Sequence, residues 1–415
     1  MKEGEGDSEG GFGLKTPLYE ATGTMGIGVV LYALLGAFYP AYIGYGIIAM
    51  LIGGWNIAYM VLKYDRFEEM LKSMGVEIDG RFPKVKEKII TDYGYVLRMS
   101  LPPGLSTKDI EKHQISIEQY FNHAVKISYD NHNLFIEVYE IELENLVLFP
   151  MFVKKKGIEF PIGIEYGGKE NTVDLSELET HMMIGGSSGS GKSTVIRTII
   201  TWLILSGVNL HLIDLKYGVE FAIFRNSKFV KTFAKTRKEA YQLLCAVDCE
   251  VVRRYNMFYD NDCVNIKEYN KKFKVKLPYE VIVIDEFADL QNEKASIELV
   301  EEISAKARAC GIHLIVATQR PDSEVFKGRI KANCLCVLGL KAKNDVNSRI
   351  IIDHNGLEDL KGLGHAIIRT DKEKEIQCYY LDTDTARALV KPTNIDKRKQ
   401  EEKQEIKDFD FMEGL

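Results

Sequence analysis

The stretch GSSGSGKST at residues 186–194 restricts the fold of this chain more than any other feature of its sequence. It fits the pattern G-x-x-x-x-G-K-S/T, in which a glycine-rich loop joins a buried strand to a helix. The apolar residues HMMI precede the loop, and KSTVIRTIITWLIL follows it with helical spacing. Because the full pattern stands between a predicted strand and a predicted helix, we predict a phosphate-binding loop in an α/β domain.

Each residue type in this loop suits a bound phosphate. Backbone N–H groups and the positive end of the following helix attract phosphate oxygens, and glycines let the backbone approach them closely. We predict that Lys192 reaches the β- and γ-phosphates of ATP and that Ser193 binds Mg²⁺. The predicted nucleotide-binding residues are Gly186, Ser187, Ser188, Gly189, Ser190, Gly191, Lys192, Ser193 and Thr194.

Two further strand ends carry polar residues that ATP hydrolysis requires. The apolar run VIVIDEFADL ends in Asp285, predicted to hold the Mg²⁺ shell, and Glu286, predicted to orient the attacking water. The run HLIVATQRP ends in Thr318 and Gln319. Gln319 is predicted to contact the γ-phosphate or the attacking water, the alternative being a simple hydrogen bond at the strand end.

Several arginines and one aspartate allow both a functional and a structural interpretation. Arg308 and Arg349 are candidates for an arginine finger, which stabilises transferred charge and often comes from a neighbouring subunit. Each could equally be a surface or packing arginine. Asp214 follows the strand LHLI, close to where ligand crevices open in such sheets. Arg253 and Arg254 on a predicted helix are interpreted as a solvated face.

Charge and cysteine content exclude some classes of protein. The net charge of −6 argues against a protein that clamps DNA over its whole surface, but it allows a narrow basic channel. The seven cysteines form no extracellular framework. Cys245 and Cys249 are four apart on a predicted helix, yet no partner pair completes a metal site, so we interpret the cysteines as buried thiols in a reducing compartment.

Residues 21–62 contain no charged side chain, and this run is long enough for two membrane spans. We predict a transmembrane helical hairpin at residues 18–62 that turns near Pro40, the alternative being a buried hairpin of a soluble core. Residues 1–17 form an acidic, glycine-rich tail that we expect to be disordered. Because the nucleotide is cytosolic, we predict a multi-pass protein of the cell membrane with its ATPase domain in the cytoplasm. The cations at positions 63, 66 and 72 agree with this orientation.

The rest of the chain divides by its pattern of strands and helices. Residues 63–83 are predicted to be a juxtamembrane helix or linker, and residues 84–153 a small α+β module with two strand pairs and a helix. Residues 154–390 alternate strands and helices, which predicts a parallel sheet covered by helices and ending in a hairpin. Residues 391–415 are predicted to be a charged, solvated tail.

The chain resembles the FtsK/SpoIIIE family of DNA translocases in several motifs. The phosphate loop and VIVIDEFADL carry part of the likeness, and the run GIHLIVATQRP followed by IKAN and SRIIID is more specific. The resemblance covers about residues 101–381. It implies a RecA-like P-loop motor domain that binds ATP and Mg²⁺ and acts as a homo-hexamer ring around DNA, with ATP at the subunit interfaces.

The chain also departs from the chromosome-segregation members of that family. It has two predicted spans and almost no linker, and we expect no module that reads oriented DNA sequences after residue 390. A compact member with a membrane hairpin is similar to the coupling proteins of Gram-positive conjugative elements, which implies a relaxase and conjugation channel proteins as partners. The alternatives are a protein-secretion ATPase of a type VII-like machinery and a translocase for chromosome or plasmid partition.

Overall fold

The computed structural model describes residues 66–150, 157–177, 180–291, 293–319 and 329–395. The predicted disordered tail, the predicted transmembrane hairpin and residues 396–415 of the predicted charged tail lie outside these ranges. Within them, no helix combines the length and the apolar composition that a membrane span needs. The chain forms two compact units. The first comprises the described residues up to Glu142 together with the short segment Tyr166–Gly168. The second comprises Leu143–Glu165 and the described residues from Lys169 onward.

The first unit is a four-stranded antiparallel sheet with helices on one face. The strand order is β1-β2-β4-β3, and residues 66–73 are also helical. Its elements are β1 (Lys84–Thr91), β2 (Gly94–Ser100), α1 (Thr107–Glu111), α2 (Gln114–Phe121), β3 (Ala124–Asp130) and β4 (Asn133–Tyr139).

Apolar residues at alternate positions of β2 and β4 form the core of this unit. Leu97 and Ile136 are fully buried, as are Ile110 and Ile117 of the helices. Phe67 is also fully buried in the same core, and its ring lies 4.8 Å from that of Phe121. The segment predicted to be a juxtamembrane helix or linker is therefore part of this folded unit from residue 66 onward.

The second unit is built on a long mixed sheet. Its elements are β5 (Val147–Leu148), β6 (Glu159–Glu165), β7 (Glu170–Asp174), β8 (Met182–Gly185), α3 (Lys192–Ser206), β9 (Asn209–Ile213), β10 (Val230–Ala234), α4 (Arg237–Asp260), α5 (Ile266–Lys272), β11 (Glu280–Ile284), a 3₁₀ helix (Phe287–Leu290), α6 (Lys294–Lys306), β12 (Ile312–Thr318), α7 (Arg329–Asn333), β13 (Cys336–Leu340), α8 (Asp345–Ile352), β14 (His365–Arg369), β15 (Glu373–Tyr380), α9 (Thr383–Val390) and a second 3₁₀ helix (Lys391–Thr393). It begins at Leu143, not at the predicted residue 154.

The strand order of this sheet is β10-β9-β11-β12-β8-β13-β14-β15-β6-β7, with β5 paired to β15. The first six strands in this order are parallel, and β14, β15, β6 and β7 join antiparallel. The α/β prediction is confirmed, and β14 and β15 form the predicted terminal hairpin, but the expectation of a parallel sheet is wrong at β6 and β7, which also pair antiparallel. These two strands lie before the phosphate loop in the chain.

Helices cover both faces of the parallel half, so its central strands are apolar on both sides. Every residue of β11 and β12 is buried, as expected for parallel strands between two helical layers. α4 and α6 pack on one face through residues such as Leu244 and Ile303. α3 packs on the other face through residues such as Ile199. This layering fixes the strand ends, where the polar residues lie.

Arg254 corrects the interpretation of the arginine pair on α4 as a solvated face. Its side chain is fully buried, and the guanidinium donates to Glu250 and Glu280 at 2.7 Å and to the carbonyls of Pro278 and Cys310 at 2.8 Å. The charge is tolerated because its hydrogen bonds are supplied.

The cysteine prediction holds for most but not all of the thiols. All seven cysteines are free, and five are buried, namely Cys263, Cys310, Cys334, Cys336 and Cys378. Cys249 is exposed and Cys245 is half-buried, so the expectation of a buried thiol is wrong at Cys249. Among the described residues no group of His, Cys, Asp and Glu side chains is placed to hold a metal ion.

Candidate functional site

The loop at residues 186–194 follows β8, between the carboxyl ends of β12 and β13. Gly186 donates its N–H to the Thr318 carbonyl at 3.3 Å, and Ser187 donates to the Lys341 carbonyl at 2.8 Å. The Ser190 carbonyl accepts the N–H of Gly364 at 2.8 Å. Three neighbouring segments therefore hold the loop in shape before any ligand enters.

The loop has the geometry of a cradle for phosphate. Gly189 and Gly191 have φ values of +81° and +106°, which L side chains rarely adopt. A Cβ on Gly191 would lie 2.6 Å from the backbone nitrogen of Gly364. The Ser190 hydroxyl is buried without a hydrogen-bond partner among the described residues. An unsatisfied buried hydroxyl at the start of a helix suits an anionic ligand, so these residues fit the triphosphate of ATP.

Lys192 and Asp285 form a buried ion pair at the base of this loop. Lys192 Nζ donates to Asp285 Oδ1 at 2.8 Å and to the Asp285 carbonyl at 2.7 Å. The two residues are 3% and 1% exposed. Burial by itself opposes the charge of Asp285, but Lys192 and then Lys216 outweigh it and hold the pKa of this carboxyl below its usual range.

Lys216 is a member of the site that the sequence motifs do not contain. Its Nζ lies 3.1 Å from Asp285 Oδ2, opposite Lys192. Burial lowers the pKa of Lys216, yet the attraction of Asp285 outweighs this and the net change is upward. The signal available in the sequence was the position of Lys216 two residues after Asp214, at the end of the strand next to the acidic strand.

Glu286 is held by the neighbouring strand end. Its Oε1 accepts the hydroxyl of Thr318 at 2.5 Å, and its carboxylate accepts the backbone N–H of Gln319 at 3.0–3.1 Å. Glu286 is 6% exposed. The structure thus brings Glu286, Thr318 and Gln319, predicted from two different strand ends, into direct contact. Gln319 contacts Glu286 through its backbone N–H.

Asp214 has a structural role in the loop that presents Lys216. It is fully buried, and its carboxylate accepts the N–H of Lys216 at 3.0 Å and of Phe221 at 3.2 Å. Its carbonyl accepts the N–H of Gly218 at 3.0 Å. These bonds decide between the two interpretations of Asp214: it fixes the base of the loop at residues 214–221.

The two arginine-finger candidates do not contact the phosphate loop of the same chain. Arg308 precedes β12, whose opposite end pairs Thr318 with Gly185 at the phosphate loop. The seven-residue strand β12 therefore separates Arg308 from the phosphate loop. Arg308 instead donates to the Glu177 carbonyl at 3.3 Å. Arg349 on α8 pairs with Asp345 at 3.3 Å, and its side chain is 61% exposed. A finger role for either arginine stays a prediction that requires a neighbouring subunit.

A cavity of about 270 Å³ opens beside the phosphate loop, and no sequence motif indicated it. Gly191 and Thr194 form one wall, Leu363 another, and Tyr379 and Tyr380 at the end of β15 a third. Its lining is mainly apolar, and Leu363 is 80% exposed at its rim. Position and chemistry suit the flat, apolar faces of a nucleobase whose phosphates lie in the loop. The walls come from distant parts of the chain, so only the folded structure assembles them.

Sequence comparison finds relatives of the part of the chain that carries the phosphate loop. Residues 151–323 match the model of the FtsK/SpoIIIE family. The DNA translocase FtsK of Lactiplantibacillus plantarum is 34% identical over 255 residues, 57% of this chain and 32% of that protein. The DNA translocase FtsK of Clostridium tetani is 31% identical over 342 residues, 75% of this chain and 44% of that protein. The chain thus spans less than half the length of these relatives.

Comparison with solved structures confirms the fold. The pCW3 conjugation coupling protein TcpA, in a monomer form with ATPγS, is 21% identical with a TM-score of 0.57, covering 79% of this chain and 99% of that one. The cytoplasmic domain of the type VII secretion ATPase EccC from Thermomonospora curvata is 22% identical with a TM-score of 0.53, covering 61% of this chain and 33% of that one. At these identities the likenesses establish a shared α/β P-loop ATPase fold.

Proposed function

We propose that the chain is an ATP-driven DNA translocase, because residues 151–323 match the model of the FtsK/SpoIIIE family. The observation that carries the proposal is the assembled nucleotide site: a preformed phosphate cradle, the buried Lys192–Asp285 pair, and Glu286 oriented by the neighbouring strand. The relatives named DNA translocase FtsK support DNA as the cargo, because they match up to 75% of this chain.

Each residue of the site has a separate part in ATP hydrolysis. Lys192 leaves Asp285 for the β- and γ-phosphates, and the Ser190 hydroxyl and the loop N–H groups donate to phosphate oxygens. Ser193 and Asp285 would hold Mg²⁺, which neutralises phosphate charge when bound. Glu286, kept in place by Thr318, orients the attacking water and accepts its proton. Gln319, at the same strand end, contacts the terminal phosphate or that water.

Translocation requires that hydrolysis in one subunit moves DNA relative to another. We therefore propose a homo-hexameric ring in which Arg308 or Arg349 of a neighbour stabilises the transferred charge. The position of Arg308 at the far end of β12 from its own phosphate loop supports a role in trans. Contacts to the DNA would be mainly to its backbone, so they would be electrostatic and largely independent of sequence.

The finer proposal is a membrane-anchored coupling protein that delivers DNA to a conjugative transfer channel. The uncharged run at residues 21–62 supports a membrane hairpin, with the ATPase domain in the cytoplasm. The likeness to TcpA, a conjugation coupling protein matched over 99% of its solved chain, supports the transfer role. A relaxase and channel proteins would then be its partners.

The first prediction concerns turnover and its dependence on DNA. The full chain should hydrolyse ATP, and added double- or single-stranded DNA should raise the rate, because the proposed cargo engages the ring. Lys192→Ala should abolish turnover by removing the charge that binds the β- and γ-phosphates. Phosphate release measures both effects. Lys231→Met, at an exposed lysine of β10 that donates to the Lys228 carbonyl, is the control and should match the wild type. A rate indifferent to DNA would contradict the proposal.

The second prediction separates binding from chemistry. Glu286→Gln keeps the shape of the side chain and one acceptor oxygen for Thr318 and Gln319 but removes the base. The variant should bind a fluorescent ATP analogue with about wild-type affinity and lower kcat by roughly 100-fold or more. Near-normal turnover would remove Glu286 from the catalytic role.

A protein-secretion ATPase is the second candidate, favoured by the likeness to EccC. This chain covers only 33% of that solved chain but 99% of the TcpA chain, so the coupling protein is the better match in extent. The same rate measurement distinguishes them: stimulation by a secreted helical-hairpin protein, without stimulation by DNA, would favour secretion.

A further inference from the structure

Asp285 divides its two carboxylate oxygens between two lysines. Oδ1 accepts from Lys192 Nζ at 2.8 Å, and Oδ2 accepts from Lys216 Nζ at 3.1 Å. Asp285 is 1% exposed, so almost no solvent can replace either partner. Lys216, which lies outside the phosphate-loop motif, is therefore attached directly to the carboxylate that the nucleotide and its cation must engage.

Binding of a nucleoside triphosphate with a divalent cation changes the balance of charge around Asp285. Two cations, Lys192 and Lys216, lie here with the carboxylates Asp285 and Glu286, and the charge of Glu220 also acts on Lys216. The ligand brings new anionic oxygens, which attract Lys192, and a dication, which needs the carboxylate of Asp285. An ammonium group and a dication on the same carboxylate repel each other. The terminal phosphate then replaces Asp285 as the favourable partner of Lys216.

Lys216 projects from a loop whose base is fixed and whose tip is exposed. The base is held by Asp214, through the N–H groups of Lys216 and Phe221. Tyr217 and Gly218 come next with φ values of +60° and +77°, so the chain turns sharply directly after Lys216. Tyr217 at the tip is 88% exposed. Because Tyr217 follows Lys216 directly, a displacement of the Lys216 side chain can reach this tip through the backbone.

We infer that Lys216 is a further catalytic residue that leaves Asp285 for the terminal phosphate when a nucleoside triphosphate and Mg²⁺ bind, so that the loop at residues 214–221 changes conformation with nucleotide state. The inference rests on the proposed nucleotide site and is independent of DNA as the cargo. It adds a second lysine to the site and couples nucleotide binding to the conformation of a loop whose tip carries the exposed side chain of Tyr217.

The test is hydrogen–deuterium exchange of residues 214–221 in the full chain, with and without Mg²⁺ and ATPγS. In the wild type, the ligand should change the exchange rate of this loop by about threefold or more. Lys216→Met should lose this change and lower kcat about tenfold, while nucleotide affinity stays within about threefold of the wild type. Lys216→Arg, which keeps the charge, should restore part of the exchange response to the ligand and part of kcat. Lys231→Met on β10 is the matched control and should respond like the wild type.

Several outcomes would overturn the inference. One is a wild-type loop whose exchange ignores the ligand, and another is a Lys216→Met variant that responds like the wild type. If the loop of Lys216→Met exchanges faster than that of the wild type by the same factor with and without ligand, Lys216 has a purely structural role. This outcome also overturns the inference. ATP turnover that ignores DNA would contradict the proposed cargo but leave these exchange results intact, whereas a wild type that binds no nucleotide contradicts both.

Discussion

At the scale of single residues, backbone conformation and burial set the chemistry of the phosphate loop. Gly189 and Gly191 both have left-handed φ values, but their surroundings differ. No heavy atom beyond the two adjacent residues lies within 4 Å of a Cβ built on Gly189, whereas one on Gly191 would meet the backbone of Gly364 at 2.6 Å. Comparing substitutions at the two positions therefore distinguishes backbone strain from a steric collision of the added Cβ.

The third prediction uses this pair of glycines. Gly189→Ala should lower the free energy of unfolding by about 1–2 kcal/mol, the cost of a left-handed alanine, and leave nucleotide binding measurable. Gly191→Ala carries the same strain and also a collision with backbone, so it should abolish binding. Thermal unfolding and titration with a fluorescent nucleotide measure the two effects. Equal affinities in the two variants would show that the contact with Gly364 does not shape the loop.

Sequence patterns at this scale predicted the polar residues at the ends of apolar strands but not the residues that other segments bring to the site. Lys192, Asp285 and Glu286 were predictable because each comes after an apolar run whose end must lie at one edge of the sheet. Lys216 was not, because a lysine two residues beyond a strand end is common on protein surfaces. The cavity wall at Leu363 and Tyr380 was also unpredictable, since it depends on how the carboxyl-terminal hairpin pairs.

At the scale of elements, α4 shows how one helix carries two arginines with different roles. Arg253 is exposed and pairs with Glu250, whereas Arg254 is fully buried between Glu250 and Glu280. Glu280, the first residue of β11, also bonds His211 on the adjacent strand at 3.0 Å. The buried guanidinium therefore joins α4 to the amino ends of two central strands.

The fourth prediction compares these neighbours. Arg254→Met should lower the free energy of unfolding by about 3–5 kcal/mol, because the buried Glu280 loses its charged donor at Oε1 and keeps His211 at Oε2. Arg253→Met on the exposed face should change it by no more than about 1 kcal/mol. Urea unfolding of each variant measures the difference. Similar values for both would mean that solvent reaches Glu280 when Arg254 is absent.

The order of the elements was predictable in the parallel half of the sheet and in its terminal hairpin, but not at β6 and β7. Continuous apolar runs marked β8, β9, β11, β12 and β13, since strands buried on both faces need apolar residues at every position. β6, β7 and β10 are more polar or interrupted, as in EFPIGIE with its proline, so their patterns resemble loops. The antiparallel part of the sheet therefore extends beyond the predicted hairpin of β14 and β15 to β6 and β7, which the pattern left unassigned.

At the scale of the whole molecule, two buried histidines make the folded second unit sensitive to acid. His181 and His313 lie at the amino ends of β8 and β12, with ring centroids 5.9 Å apart. Burial lowers the pKa of His181 to about 3, helped by the proximity of His313, and lowers that of His313 to about 4. His181 Nδ1 accepts the Leu314 N–H, and His313 donates to the Thr180 carbonyl, so both rings are neutral in the fold.

The fifth prediction rests on the direction of these shifts. Below the usual histidine pKa of 6.5 the unfolded chain binds protons that the folded chain does not, so stability falls as the pH falls. At pH 5 each histidine should cost about 2 kcal/mol relative to pH 7.5, from 1.36 kcal/mol per pH unit. Urea unfolding at both values measures this loss.

A substitution and a lower pH range serve as the checks. His313→Gln should remove about half of the loss between pH 7.5 and 5, because one buried base remains. Below pH 4.5 a further loss should begin at Glu250, whose pKa is lowered to about 2 mainly by Arg253, with Arg254 adding to it. A stability that stays flat from pH 7.5 to 5 would show that both rings accept protons in the folded state.

The strand pairing of β6 with β15 has a consequence for biosynthesis. Glu165 of β6 pairs with Ile376 of β15, about 210 positions later in the chain. At about 5–20 residues per second, a ribosome needs roughly 10–40 s to supply the partner strand. Until then the hairpin of β6 and β7 leaves the exit tunnel with an unpaired edge, which other chains can join. The chain is therefore most exposed to aggregation while it is still being synthesised, and this early hairpin needs protection until the last strand arrives.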